Sequence, residues 1–265
     1  MLSARRLVRA ASFLWRHAPT RVVDAGLYRT QQALAALHGY GLESLESEVI
    51  AACSELPARP CIVFDVGAHR GDWSRGVRAR RASAGDRFFL FEPSAVNLRA
   101  LERLAVPEFT VVPMAVSDGS GHAPLFADAA GSGLGSLHQR DLRSDGVIHE
   151  KQEEVATITL DDFVETNGIG RIDFLKLDIE GHELAALRGA TRLLGETRIG
   201  ALAFEFGGTQ VDARAFLRDY WNLLASHEYQ LHRVMPGGLL LPMPRYSVAL
   251  EVFRFTTYLA LAPRR

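Results

Sequence analysis

Phe64-Asp65-Val66-Gly67-Ala68-His69-Arg70-Gly71 is the stretch that decides the fold. Cys61-Ile62-Val63-Phe64 is a short apolar run of buried-strand type, and Asp72 beyond the turn suits the start of a helix. A strand ending in Asp, then Gly-x-x-x-Gly, then a helix is a nucleotide-binding turn. Its glycines stand where the backbone turns tightly and meets a ligand without a Cβ. The dinucleotide fingerprint G-x-G-x-x-G needs a second glycine at position 69, where this chain has His69. A carboxylate at Asp65 repels a pyrophosphate and suits a cationic group such as an amino-acid ammonium.

Working outward, Arg87-Phe88-Phe89-Leu90-Phe91 is a second strand closed by Glu92-Pro93. An acidic residue there is where doubly wound folds grip ribose hydroxyls. An amine, a ribose and a site without pyrophosphate chemistry together favour S-adenosylmethionine. The residues expected to bind it are Asp65, Gly67, Ala68 and Gly71, then Glu92 with Pro93 and Ser94. Val116 and Ser117, in Ala115-Val116-Ser117-Asp118 at the end of a third strand, are expected beside the adenine. A further strand, Ile172 to Asp178, runs into Ile179-Glu180-Gly181-His182-Glu183. Its carboxyl end belongs to the active edge of a parallel sheet, which makes Asp178 a candidate for the cofactor and for the chemistry.

Beyond residue 60 the whole chain alternates short apolar runs with helical patterns, the mark of a parallel α/β sheet. Strands are expected at Cys61–Phe64, Arg87–Phe91, Phe109–Val116, Ile172–Asp178, Ile199–Phe206, Tyr229–Val234 and Ser247–Phe255, the last two antiparallel. Helices are expected from Asp72, through Asn97 to Leu104, over Leu160–Thr166, over Glu183–Leu194 and over Ala213–His227. Residues 119 to 150 break the rhythm. Gly131, Gly133 and Gly135 with Ser132 and Ser136 read as a mobile loop between short strands at His122–Phe126 and Val155–Leu160.

Four motifs in order now carry a resemblance: the turn at 64–71, Phe91-Glu92-Pro93, Ala115-Val116-Ser117-Asp118, and Lys176-Leu177-Asp178-Ile179-Glu180-Gly181-His182-Glu183. Together they resemble the FkbM family of S-adenosylmethionine-dependent methyltransferases over residues 60 to 210, and Leu187-Arg188-Gly189-Ala190 fits the same pattern. His69-Arg70 departs from it, since the family more often carries Asn first. The resemblance implies a class I methyltransferase fold: a doubly wound, mostly parallel seven-stranded sheet with an antiparallel C-terminal strand. Residues 60–265 form that domain and residues 1–59 an N-terminal helical extension. It also implies O-methylation of a hydroxyl on a small acceptor such as a sugar or natural product. An alcohol is a weak nucleophile near neutral pH, so a general base helps; His182, Asp178 and Glu205 are the candidates. His138 and His149 reach the acceptor only if their loop closes as a lid; the plainer expectation is ordinary loop residues. Asp178 and Glu205 are hard oxygen donors that suit a divalent metal, yet no diagnostic ligand spacing accompanies them, so no metal is assigned. Two other readings are a dinucleotide-dependent oxidoreductase, which the missing glycine and Asp65 oppose, and a non-catalytic protein that docks through its N-terminus.

Composition agrees with a globular enzyme. Of 265 residues 48% are hydrophobic and 23% charged, with 30 Lys plus Arg against 31 Asp plus Glu, which excludes a disordered chain and makes nucleic acid an unsuitable partner. Cys53 and Cys61 are too few for a disulfide framework and fit a cytoplasmic protein with free thiols. Residues 1–30 hold six arginines against Asp24 alone. Leu7, Ala10, Ala11, Leu14 and Trp15 recur at helical spacing among them. That pattern fits a helix resting on an anionic membrane surface; the plainer expectation is a helix packing its apolar stripe on the domain with its arginines solvated. Acceptor choice belongs to loops such as 127–150 and 235–246, and the oligomeric state has no signal.

Overall fold

A computed structural model describes residues 12–13, 19–37, 40–41, 44–81, 83–143 and 146–263. The chain divides into two compact units, Met1–Leu42 and Glu43–Arg265. In the first, α1 (Thr20–Leu37) leaves Leu27, Tyr28 and Leu34 exposed. The apolar stripe anticipated at Leu7, Ala10, Ala11, Leu14 and Trp15 lies outside the described residues. Among the described residues no helix is long and apolar enough to cross a membrane.

The second unit opens with α2 (Leu45–Glu55), β1 (Ile62–Val66), α3 (Asp72–Arg81), β2 (Arg87–Phe91), α4 (Ala95–Glu102) and β3 (Phe109–Val112). There follow β4 (Ala115–Val116), β5 (Gly121–Ala127), β6 (Glu150–Ile158), α5 (Leu160–Thr166), β7 (Ile172–Leu177), α6 (Glu183–Arg188) and α7 (Thr191–Gly195). It closes with β8 (Ile199–Phe206), α8 (Thr209–Ala213), α9 (Leu217–Ser226), β9 (Gln230–Val234), β10 (Leu240–Pro242) and β11 (Thr256–Leu261). The unit starts at Glu43, so it takes in α2, which the motifs had left in the N-terminal extension: Val49, Ala51, Ala52 and Leu56 are buried against Val63, Trp73 and Phe174.

The main sheet runs β10-β9-β11-β8-β7-β1-β2-β3. β3, β2, β1, β7 and β8 are parallel, while β11 is antiparallel to both β8 and β9. The short edge strand β10 makes an eighth strand beyond the seven expected. The last long strand is Thr256–Leu261 and not Ser247–Phe255, because only the later segment is buried on both faces. Alternation sends Phe64 and Val66, Phe89 and Phe91, and Leu175 and Leu177 to one face and Val63, Phe88, Leu90 and Phe174 to the other. On the first face Phe163 of α5 stands edge-on to Phe91 at 4.7 Å and to Phe64 at 5.6 Å between ring centroids.

Three expected elements are interrupted, each for a local reason. Pro113 has no N–H for a ladder, so the third strand stops at Val112 and the chain enters a second sheet, β4-β6-β5. The helix expected over Glu183–Leu194 splits at Gly189-Ala190 because Asp161 of α5 accepts from Arg192 N at 2.9 Å and Leu193 N at 3.0 Å, starting α7 afresh. The one expected over Ala213–His227 breaks at Arg214, which is left-handed, and Glu251 then accepts from Leu217 N and Arg218 N to begin α9. Cys53 and Cys61 are free, and burial first of all pushes the Cys61 thiol up to about 11, so it stays protonated.

Candidate active site

The parallel order reverses between β1 and β7, and the crevice outside the carboxyl ends of such strands is where open α/β sheets hold ligands. A cleft of about 720 Å³ lies there. Its floor is Val66-Gly67, Phe91-Glu92 and Asp178-Ile179-Glu180; its roof is Leu125 and Ala127 of β5, Gln152 and Glu153 of β6, and residues 129–137 of the glycine-rich loop. The turn is held tightly. Gly67 N and Ala68 N both donate to Phe91 O at 3.0 Å, and Asp178 N donates to Val66 O at 3.0 Å. Glu92 knits the turn to α4: one oxygen accepts from His69 N at 2.9 Å, the other from Ser94 N at 2.9 Å and Asn97 Nδ2 at 3.4 Å. His69 and Glu180, both on the cleft wall, take left-handed backbone at φ 50° and 53°, which costs a non-glycine residue energy and recurs at functional sites.

Of the residues anticipated from sequence, Gly67, Glu92, Pro93, Ser94, Val116, Asp178 and His182 line this cleft. Ala68 and Gly71 shape the turn behind it, with Gly71 N donating to Ala68 O at 2.7 Å. Asp65 faces the opposite side of the sheet, where Ser74 Oγ donates to its Oδ2 at 2.6 Å and its Oδ1 has no partner. Glu205 also faces away, into a second cavity of about 290 Å³ bounded by Glu48, Trp73, Lys176 and Thr257. Among the described residues no three His, Cys, Asp or Glu side chains come together in a metal-holding group.

His182 is occupied on both ring nitrogens. Nε2 lies 2.9 Å from Ser117 Oγ and Nδ1 lies 3.0 Å from His138 Nε2. The Ser117 hydroxyl donates to Asp118 Oδ1 at 3.2 Å, so its oxygen accepts from His182 Nε2, and Nδ1 in turn accepts from His138. Burial and then the neighbouring His138 pull the His182 pKa down to about 4, so it stays neutral and makes a weak base.

A family model described as the Methyltransferase FkbM domain matches residues 65–231. The chain belongs to the FkbM methyltransferase family. Its strand order, with the antiparallel β11 inserted between β8 and β9, is the class I methyltransferase arrangement anticipated from the motifs. The hexuronic acid methyltransferase AglP of Haloferax volcanii is 26% identical over 150 residues, covering 56% of this chain and 58% of its own. A crystal structure of an FkbM methyltransferase from Methylobacillus flagellatus shares 20% identity at a TM-score of 0.47, covering 76% of this chain and 44% of that one. The plantazolicin methyltransferase BpumL, solved with S-adenosylhomocysteine, shares 10% at a TM-score of 0.44 over 96% of this chain and 95% of its own. This chain therefore spans a little over half the length of the curated relative it matches.

In this FkbM domain the glycine-rich loop is fastened across the cleft. Ser136 Oγ donates to Glu180 O at 2.9 Å, Arg140 Nη1 to Glu180 Oε2 at 2.7 Å, and His69 Nε2 lies 3.3 Å from Gly131 O. His149 serves the same loop, with its Nδ1 accepting from Arg140 N at 3.1 Å and its Nε2 2.9 Å from Leu134 O. The glycines and serines of the loop were its sequence signal. Arg140 had none; Glu180 lies in the motif at 176–183, but its pairing with a residue 40 positions away is not readable there.

Burial above all raises Glu92, Glu180 and Glu183 to about 7. Each of these acids contributes stability that is complete below its unfolded pKa and lost as pH rises through its folded one. The lowered pKa values of His138 and His182 act in the opposite sense, but only below about 6.5. Glu205, raised further by burial and then by Asp178, extends the loss upward. The urea midpoint is therefore expected to fall between about pH 6.5 and about pH 8.5. A midpoint that rises over that interval would show these acids ionised at no cost in the fold.

Proposed function

We propose that this domain binds S-adenosylmethionine and methylates a hydroxyl of a small acceptor such as a sugar or other natural product. One observation carries the reading: a single cleft at the strand reversal has the Glu92 carboxyl at one end and the Asp178 carboxylate at the other. The residues fit the group. Glu92 keeps an unspent lone pair for a ribose hydroxyl, and Ser94, Pro93 and Val116 line the cleft with it, while Asp65 stands behind the sheet and does not line it. S-adenosylmethionine supplies a methyl group already activated on a sulfonium. The protein's share is then positioning, exclusion of water and handling of the hydroxyl proton.

Asp178 is the group that meets the acceptor. Its Oδ2 is bound to Lys176 Nζ at 2.6 Å, which fixes the carboxylate and leaves Oδ1 for the hydroxyl. With both nitrogens of His182 engaged, that residue orients Ser117 and ties down the loop through His138. The name of the Haloferax relative supports a carbohydrate as acceptor.

The test is calorimetric titration with S-adenosylhomocysteine, with NADH as the control ligand. Wild type is expected to bind the first in the micromolar range and not the second. Glu92→Ala is expected to weaken binding by roughly ten- to a hundredfold, the worth of hydrogen bonds to a charged group. Asp178→Asn keeps the ligand and loses turnover. Binding of NADH alone would sink the reading.

A further inference from the structure

The face of the sheet away from the cleft gathers more carboxyl groups than cofactor binding uses. Asp65 on β1 sits beside Lys176 on β7, and Glu205 on β8 is opposite Thr257 on β11. Glu48 of α2 closes over them and accepts from Thr257 Oγ1 at 3.1 Å. Asp178 joins through its bond to Lys176. Asp178 and Glu205 are the residues that follow the last paired positions of β7 and β8, Leu177 and Phe204. Four carboxyl groups thus share one ammonium, and two of them, Glu48 and Glu205, line a cavity together with Lys176, Trp73 and Leu259. Within the group the Oδ1 of Asp65, a residue only 1% exposed, has no partner. Carboxyl groups crowded without counter-charge bind protons strongly, and an arriving positive charge displaces those protons.

We propose that Glu205 is the terminal proton acceptor of methyl transfer, coupled to the charge of the cofactor. It releases a proton when a sulfonium-bearing ligand enters and recovers one when transfer removes that charge. This rests on the S-adenosylmethionine reading above. In the step, the acceptor oxygen bonds to the methyl carbon and the carbon–sulfur bond breaks with its electron pair left on sulfur. The hydroxyl proton passes by way of Asp178 to Glu205. Sulfur loses its positive charge as the carboxylate loses its negative one, so the summed charge of cofactor and cluster is the same before and after.

The surroundings of Glu205 are consistent. Burial raises its pKa first, then the charge of Asp178; Lys176 pulls the other way, and Glu48 and Glu183 add further repulsion. Asp65 on β1 acts on the same Lys176, and Thr257 contributes only a hydroxyl. For Lys176 burial works against the ammonium, and Asp178, Asp65, Glu48 and Glu205 together outweigh it, so its pKa rises and it stays charged throughout.

The experiment is titration calorimetry of the full chain at about pH 8, in two buffers of different ionisation enthalpy, with S-adenosylmethionine and S-adenosylhomocysteine in turn. The sulfonium ligand is expected to release about one proton per site and the product almost none. Glu205→Gln is expected to bind both ligands with no difference in proton count. Equal counts for the two ligands in wild type would overturn the proposal without any variant, and so would full release by Glu205→Gln. Failure of both ligands to bind would instead remove the cofactor reading on which it depends.

Discussion

A Lys176→Met chain is expected to lose about 3–5 kcal/mol of stability, the cost of stripping the cation from a buried charged group. Lys176 is nearly inaccessible and is the one ammonium among Glu48, Asp65, Asp178 and Glu205. It is bound to Asp178 at 2.6 Å and sits 5.8 Å from the Trp73 ring centre. Methionine fills the same space, so packing is kept and the charge alone is removed. Without it Glu48, Asp65 and Glu205, each already raised by burial, lose the cation that lowers them and hold their protons to higher pH. The deficit should therefore shrink as pH falls, since acid neutralises what the lysine no longer balances. Urea unfolding of wild type and Lys176→Met at two pH values measures both effects. A loss below about 1 kcal/mol, unchanged by pH, would mean that the cluster is carried as neutral acids and needs no cation.

Gly67→Ala is expected to be worse for the site and at least as severe for the fold. Gly67 has φ of 85°, and a Cβ built on it would stand 1.8 Å from the carbonyl oxygen of Asp178. Neither atom is on a flexible side chain, so only separation of β1 from β7 relieves the overlap. That separation breaks the bond from Asp178 N to Val66 O and shifts the turn that lines the cleft. A loss of more than about 4 kcal/mol, or failure to fold, is expected, together with loss of S-adenosylhomocysteine binding. Gly119→Ala is the control: nothing lies within 4 Å of the added atom, and a change within about 0.5 kcal/mol is expected. A stable Gly67→Ala that still binds the ligand would require a different conformation of the turn.

What was legible in the sequence was local. Strand, turn and helix around Gly67, the acid at Glu92 and the run through Asp178 each lie within a few residues, and their order specifies the sheet. The failures are contacts made at a distance. Asp161 starts α7 from 31 residues away, so an unbroken helical pattern at Glu183–Leu194 gave no hint of the gap. Glu48 meets Thr257 across 209 residues, so α2 had no visible claim on the domain. Asp65 is different, because its position was readable. Val66 points to one face, and a strand sends its neighbour to the other, so Asp65 belongs behind the sheet with Lys176. The motif suggested a cofactor contact for Asp65, and the alternation, read beside it, sets that side chain behind the sheet and off the cleft.

The chain leaves its main sheet at Pro113 and builds β4, β5 and β6 as a separate sheet, with no ladder between the two. The floor of the cleft and its roof thus stand on separate ladders and are joined through side-chain ties. Residues that keep the cofactor's half lie on β1, β2 and β7, where each substitution disturbs a parallel ladder buried on both faces. Residues 119–143 and 146–158 hang over the other half and are held by their own short sheet and by side-chain ties such as Arg140 to Glu180. Changes there combine almost additively with the floor except at those ties, where coupling is expected. On the function proposed above, the exchange of one acceptor for another falls to the roof, while the cofactor's half is inherited intact.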